Sequence, residues 1–237
     1  MRKRYAIKLV GRCGIFLACV LLVICRPQEM EILYGAEFFK RFSVLQLLWL
    51  LWIVDMIEQL FPLRKKIPLG SQKLFKLRFR PVRERVDREA IRRYVVTTTK
   101  AAYKVMLLWV ALLAVIGGLY FGGLITRSVL FLISVAFYVC DLICVLIWCP
   151  FRLMMRNRCC TTCRIFNWDH LMMFTPMMFI NSFYSISLLL IALVVWGMWE
   201  LCVLLYPERF WEKSNEALKC SACTDKLCTQ YCRKLRD

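Results

Sequence analysis

The chain has little of what most catalytic signatures require. It holds one histidine, nine glycines and seven prolines in 237 residues, and its 16 acidic residues face 34 basic ones. A single histidine excludes bis-histidine haem ligation and the paired-histidine helix of metalloproteases. Scarce glycine and proline in an apolar chain exclude collagen-like repeats and intrinsic disorder. No phosphate-binding glycine loop, dinucleotide fingerprint or nucleophile elbow is present. No inverted repeat of the transporter kind is visible either. The 14 cysteines are diluted over 28.1 kDa, which excludes a small disulfide-stapled secreted module.

What is abundant is apolar surface. Residues of the AVILMFWYC set make up 60% of the chain, and the mean hydropathy is +0.57. A water-soluble domain carries roughly 45–50% apolar residues, so this composition belongs in a bilayer. A spanning helix needs ~20 mostly apolar residues. Five windows qualify, at about Leu9–Cys25, Phe42–Phe61, Val105–Ile125, Val129–Trp148 and Leu171–Tyr206. The expected fold is an all-α, polytopic helical membrane protein with about five transmembrane helices. Its transmembrane domain covers residues 1–206 and a cysteine-rich tail covers 207–237. The first window begins with Gly11 and Arg12 and reads as an uncleaved signal-anchor, because no small-x-small cleavage site follows it.

Orientation follows from the basic residues, which cytoplasmic loops retain. Arg2, Lys3, Arg4, Lys8 and Arg12 open the chain without an acid. From Arg64 to Lys104, fourteen basic residues face only Glu84, Asp87 and Glu89, and Arg152, Arg156, Arg158 and Arg164 follow the fourth window. Four crossings place all three stretches in the cytoplasm and the turn at Thr126-Arg127-Ser128 outside. The last window is too long for one crossing. Its 36 residues would make a helix of ~54 Å against a ~30 Å hydrocarbon core. Pro176 and Asn181-Ser182 mark the expected break. Residues 167–180 then form an interfacial or re-entrant piece ahead of one span from about Phe183 to Leu205, or else the two pieces make a tight membrane hairpin. The choice decides the side of the tail.

The cysteines on polar segments are the most specific signal. Cys159, Cys160 and Cys163 lie in the 149–167 loop, and Cys220, Cys223, Cys228 and Cys232 in the tail. Cys160/Cys163 and Cys220/Cys223 have the C-x2-C spacing by which two thiolates approach one metal, so Cys159, Cys160, Cys163, Cys220, Cys223 and Cys228 are candidate ligands of an iron–sulfur cluster or zinc. Tail disulfides and unligated thiols are the open alternatives. Cys13, Cys19, Cys25, Cys140, Cys144 and Cys202 fall inside apolar windows and read as small hydrophobes. Cys149, before Pro150, marks the end of the fourth span.

Three further groups carry charge. Asn167-Trp168-Asp169-His170 reads as a helix start, with Asp169 and His170 as candidate proton-carrying or ligating groups. Asp141, deep in the fourth window, must face inward and shares a helical stripe with Cys144 and Trp148. It is either a structural hydrogen bond between helices or part of a proton path. In the 64–104 loop, Lys73, Lys76, Arg78 and Arg80 interleave with Leu74, Phe75, Leu77 and Phe79. That pattern predicts contact with the anionic headgroups of the cytoplasmic leaflet, each basic residue contributing ~1 kcal/mol. Nucleic acid is not an expected partner. Another membrane or redox protein is.

The run Arg158-Cys159-Cys160-Thr161-Thr162-Cys163-Arg164-Ile165-Phe166-Asn167-Trp168-Asp169-His170, with Pro207-Glu208-Arg209-Phe210-Trp211-Glu212 and the following Cys220, Cys223 and Cys228, resembles a family of uncharacterised bacterial polytopic membrane proteins. The resemblance extends over most of the chain. It implies a multi-pass protein of the bacterial inner membrane and brings no activity, cofactor or partner. The functional expectation is therefore a membrane-anchored metal-thiolate protein in electron transfer or redox sensing. The competing expectation is a non-redox assembly or transport component with a structural zinc site or free thiols.

Overall fold

A computed structural model describes residues 2–61, 73–83, 86–157 and 162–222, and all of their side chains except those of residues 2–4 and Cys220. Seven α-helices follow one another: α1 (Arg2–Cys25), α2 (Val44–Leu60), α3 (Arg88–Phe121), α4 (Arg127–Leu146), α5 (Pro150–Met154), α6 (Asp169–Phe174) and α7 (Phe183–Leu205). Named strands are absent among the described residues, so the fold is all-α. α1, α3, α4 and α7 are long and apolar enough to cross a membrane. The protein is a polytopic membrane protein. Large apolar side chains such as Leu17, Leu107, Leu190 and Leu204 are exposed on the outside of the bundle. In a bilayer this is the lipid-facing surface, where apolar groups cost nothing.

Local sequence sets the helix ends. Ser43 opens α2 with a capping box, its hydroxyl accepting from the Leu45 N–H while Gln46 reaches back to the Ser43 N–H. Asp87 caps α3 through the Glu89 N–H, and Ser182 caps α7 through the Ser185 N–H. α2 has 17 residues, close to ~25 Å, and runs alongside α7 in the same direction. Its first turn meets the start of α7 through Tyr184 Oη to the Leu45 carbonyl at 3.1 Å, and Trp49 Nε1 donates to Ser187 Oγ at 2.9 Å. The core between these helices is aromatic. Trp52 is fully buried against Phe131, Tyr138, Phe174 and Tyr184.

The break in the last apolar stretch falls at Pro176 and Ser182, as the residues there require. α6 is followed by a 3-10 helix at Thr175–Phe179, then by extended residues up to Ser182. This arm is not a surface piece; it pairs with α7 as the first half of a hairpin, the second of the two expected arrangements. Trp168 bonds to Glu200 at its start, and the Phe183 N–H bonds to the Gly35 carbonyl at its end. The arm therefore runs antiparallel to α7 over a depth of ~25 Å, the rise over the seventeen steps from Phe183 to Glu200 at ~1.5 Å each. An α-helix of ~14 residues reaches only ~21 Å. The 3-10 rise of ~2.0 Å and the extended rise of ~3.3 Å per residue supply the difference. The arm packs closely on α3 at Gly117, where an added Cβ would sit 2.7 Å from Phe179 Cζ.

That geometry returns the chain after α7 to the end of the bundle that holds the basic loop. The Arg209 guanidinium donates to the Leu74 carbonyl at 3.1 Å, the Arg80 N–H to Asn215 Oδ1 at 3.2 Å, and the Glu216 N–H to the Arg80 carbonyl at 2.8 Å. Residues 207–219 are thus folded against 73–83. Reporter fusions after Lys100 and after Lys219 are expected to report one and the same side, the cytoplasm by charge, with a fusion at Ser128 reporting the other. An exported reporter after Lys219 contradicts this arrangement.

Candidate functional site

Two features meet in the half of the bundle nearest the basic loop: a group of ionisable side chains between helices and a cavity lined by cysteines. Asp141 faces inward, as its depth demands, and its partner is Arg12. The Arg12 guanidinium donates to Asp141 Oδ2 at 2.6 Å and to the Tyr138 carbonyl at 2.7 Å, and it lies 3.8 Å from the Tyr138 ring centroid. The match is one of depth. At ~1.5 Å per residue, Arg12 is ~20 Å from the far end of α1 and Asp141 is ~21 Å from the start of α4. In the sequence Arg12 reads as an interruption of the first window. Its pairing was legible only in the rule that a charge inside a span needs an opposite charge at equal depth.

The acids of α2 and α6 lie in the same region. Tyr138 Oη donates to Asp55 Oδ2 at 3.4 Å. Asp169 Oδ1 lies 3.2 Å from His170 Nδ1, an ion-pair distance without hydrogen-bond geometry, and Gln59 Nε2 lies 3.0 Å from the same nitrogen. His170 Nε2 is buried without a hydrogen-bond partner. Asp169 and His170 therefore sit inside the protein at the start of α6, at the helix start expected from the sequence. The N-cap of α6 is Trp168, which makes no side-chain cap bond.

The cavity encloses about 270 Å³ and is lined by Cys140, Asp141, Cys144, Cys149, Cys163 and Asp169, with aromatic and methionine side chains completing the wall. Cys140 and Cys144 were read as isolated small hydrophobes. The structure instead gathers them with Cys149 and Cys163. One turn of helix separates Cys140 from Cys144, and the backbone leaves the helix after Leu146, so Cys149 turns back toward Cys144. Trp148, expected on the same stripe, is exposed because the helix has already ended. The signal that went unused is the four-residue spacing of Cys140 and Cys144, with Pro150 ending the span one residue beyond Cys149.

Cys144 and Cys149 line one cavity, and a hydrogen-bonding interaction with Cys144 couples the two thiols. That hydrogen bond is the main cause lowering the Cys149 thiol to about 7. The N–H groups of Phe151 and Arg152 and the Arg152 charge add to it, against the opposing effect of burial. Cys149 is the residue ahead of the short helix α5, and thiolates are stabilised where free backbone N–H groups point at sulfur. Cys163 is buried, and burial pushes its thiol up.

The remaining expected residues divide. Cys163 was expected to be one of six ligands. Among the described residues no group of three or more His, Cys, Asp or Glu side chains is arranged to hold a metal ion. Cys159, Cys160, Cys223 and Cys228 lie outside the described residues, and Cys220 is described only as backbone in a turn. Lys73 departs from its expected place at the lipid surface. It is 1% exposed, its ammonium donates to the Cys163 carbonyl at 3.1 Å and it lies 5.3 Å from the Trp199 ring centroid. Lys76, Arg78 and Arg80 are exposed, beside an exposed Leu77. A second cluster missed in the sequence closes this end. Arg164 holds Glu200 with two hydrogen bonds at 2.8 and 2.5 Å, Trp168 Nε1 donates to Glu200 at 2.9 Å and Trp199 Nε1 donates to the Arg164 carbonyl at 2.8 Å.

Fold and site together define a polytopic all-α membrane protein with a cysteine-lined cavity between α3, α4 and α6. No protein-family profile, curated protein or solved structure matches the chain.

Two measurements check this geometry. Asp141→Leu leaves Arg12 unpaired among helices and is expected to lose ~3–5 kcal/mol of stability in detergent unfolding, the cost of breaking a buried pair on one side. Arg12→Leu/Asp141→Leu is expected to recover most of that loss. Alkylation of Cys149 should rise with pH about a midpoint near 7. In Cys144→Ala the midpoint should move upward toward the ~8.5 of an ordinary thiol, because the hydrogen bond that favours the thiolate is gone.

Proposed function

We propose that the protein is a thiol-redox protein of the bacterial inner membrane, in which Cys144 and Cys149 alternate between a dithiol and a disulfide. The observation that carries this reading is that Cys144 and Cys149 line the same apolar cavity five residues apart, with Cys149 held near neutrality as the attacking sulfur. A thiol with a pKa near ambient pH combines a useful thiolate fraction with good nucleophilicity. Oxidation joins the two sulfurs and releases two electrons and two protons to an acceptor.

A second reading keeps the expected metal-thiolate centre, iron–sulfur or zinc, built from Cys159, Cys160 and Cys163 with Cys220, Cys223 and Cys228. It is supported by the return of residues 207–219 to the end of the bundle where Cys163 lies. The two readings are compatible, since they use different thiols.

The test uses the full chain purified anaerobically in detergent. After treatment with diamide, mass spectrometry of the peptide from Ser128 to Arg152 should show the loss of two hydrogens, absent in Cys144→Ser and in Cys149→Ser and retained in Cys140→Ser. A peptide that keeps all three thiols free sinks the dithiol reading. Visible charge-transfer absorption, or zinc bound stoichiometrically, supports the metal centre, and a colourless metal-free protein removes it. Failure of both leaves a non-redox assembly or transport component.

A further inference from the structure

We propose that the cysteine-lined cavity binds the head group of a membrane quinone, which takes the two electrons and two protons of the Cys144/Cys149 dithiol. The inference rests on the dithiol reading and names its acceptor. It starts from where the cavity opens. Cys140 lines the cavity and is also exposed, and it lies six residues before the end of the membrane-spanning helix α4. An exposed residue at that position faces hydrocarbon, so the mouth opens sideways into the bilayer. Whatever enters must be soluble in lipid. The interior agrees, because Trp109, Phe137, Phe151 and Phe166 form aromatic walls and Met172 and Met173 form polarisable ones.

Size narrows the occupant. Ligand pockets usually measure ~300–1,000 Å³, so a cavity of about 270 Å³ suits a flat one- or two-ring head group whose apolar tail stays outside in the lipid. The chemistry narrows it further. Two adjacent thiols deliver electrons in pairs with two protons, which is the stoichiometry of a quinone going to a quinol. Arg152 lines the cavity and its charge acts on Cys149, and a cation there would also favour negative charge developing on a ring oxygen.

The step balances within the cavity. The Cys149 sulfur adds to a ring carbon. Cys144 then attacks the Cys149 sulfur, the S–S bond forms, the C–S bond breaks and its electron pair returns to the ring. The two protons lost by the thiols end on the two ring oxygens. The dithiol is oxidised to a disulfide and the quinone is reduced to a quinol, one for one.

The experiment uses the full chain in lipid nanodiscs, reduced and freed of reductant under argon, with decylubiquinone and menadione as separate probes and diamide as a small, water-soluble oxidant. The expected result is one quinol formed per Cys144–Cys149 disulfide with at least one of the quinones, and none above background in Cys149→Ser. Cys140→Trp places a bulky ring at the exposed edge of the cavity. It is expected to slow quinone-driven oxidation at least tenfold relative to oxidation by diamide measured in the same variant. If diamide forms the disulfide while neither quinone reacts faster than in Cys149→Ser, or if Cys140→Trp leaves the quinone rate unaltered, the quinone site is overturned and the dithiol reading stands. If diamide also fails to form the disulfide, both fall.

Discussion

Hydrocarbon gives a charge nothing to bind, and the Arg12–Asp141 pair is how this bundle meets that constraint. α1 is barely buried along its apolar length, so greasy packing alone does little to hold it in place. The 2.6 Å contact from Arg12 to Asp141 sets its depth and its rotation against α4. α4 in turn carries the wall of the cavity. A carboxylate fixed at one level of α4 places Cys144 one turn further in and Cys140 one residue earlier, so the ion pair that orients the helix also aims its cysteines.

The broken arm between Trp168 and Ser182 is the second consequence of membrane physics. A regular α-helix of that length would fall short of the far end. By mixing an α-helical turn, a 3-10 turn and an extended end, the chain covers the distance with few residues. Non-helical backbone at such depth survives only where protein surrounds it. Here Met173, Phe174, Met177 and Ile180 are buried against neighbouring helices. The early, irregular turns of the arm also bring Asp169 and Met172 to the cavity and set His170 against Gln59.

At the basic end, the charges serve packing as much as they serve the membrane surface. Arg164 and Glu200 join the Cys loop to the last turns of α7, and Lys73 reaches the backbone of Cys163. These contacts fasten the loop that supplies one wall of the cavity to the helix that leads into the tail. The result is one connected end of the bundle, in which the basic loop, the Cys loop and residues 207–219 hold each other.

The sequence by itself determined everything that depends on local composition. Apolar length located the spans, Lys and Arg bias ordered the loops, and Pro176 with Ser182 marked the break. The same information placed Asp141 toward the interior, since the cost of a lipid-facing carboxylate depends on depth alone. Only the tertiary structure decided what depends on two segments meeting. That Arg12 answers Asp141 across 129 positions is a property of the register between α1 and α4. That Lys73 leaves the lipid surface is a property of the space beneath Trp199. The cavity was hidden for the same reason. Cys140 and Cys144 look like ordinary small apolar residues in their own window, Cys149 like a span end and Cys163 like part of a separate polar cluster, and the four line one cavity only because the turn after Leu146 and the Cys loop border the same volume.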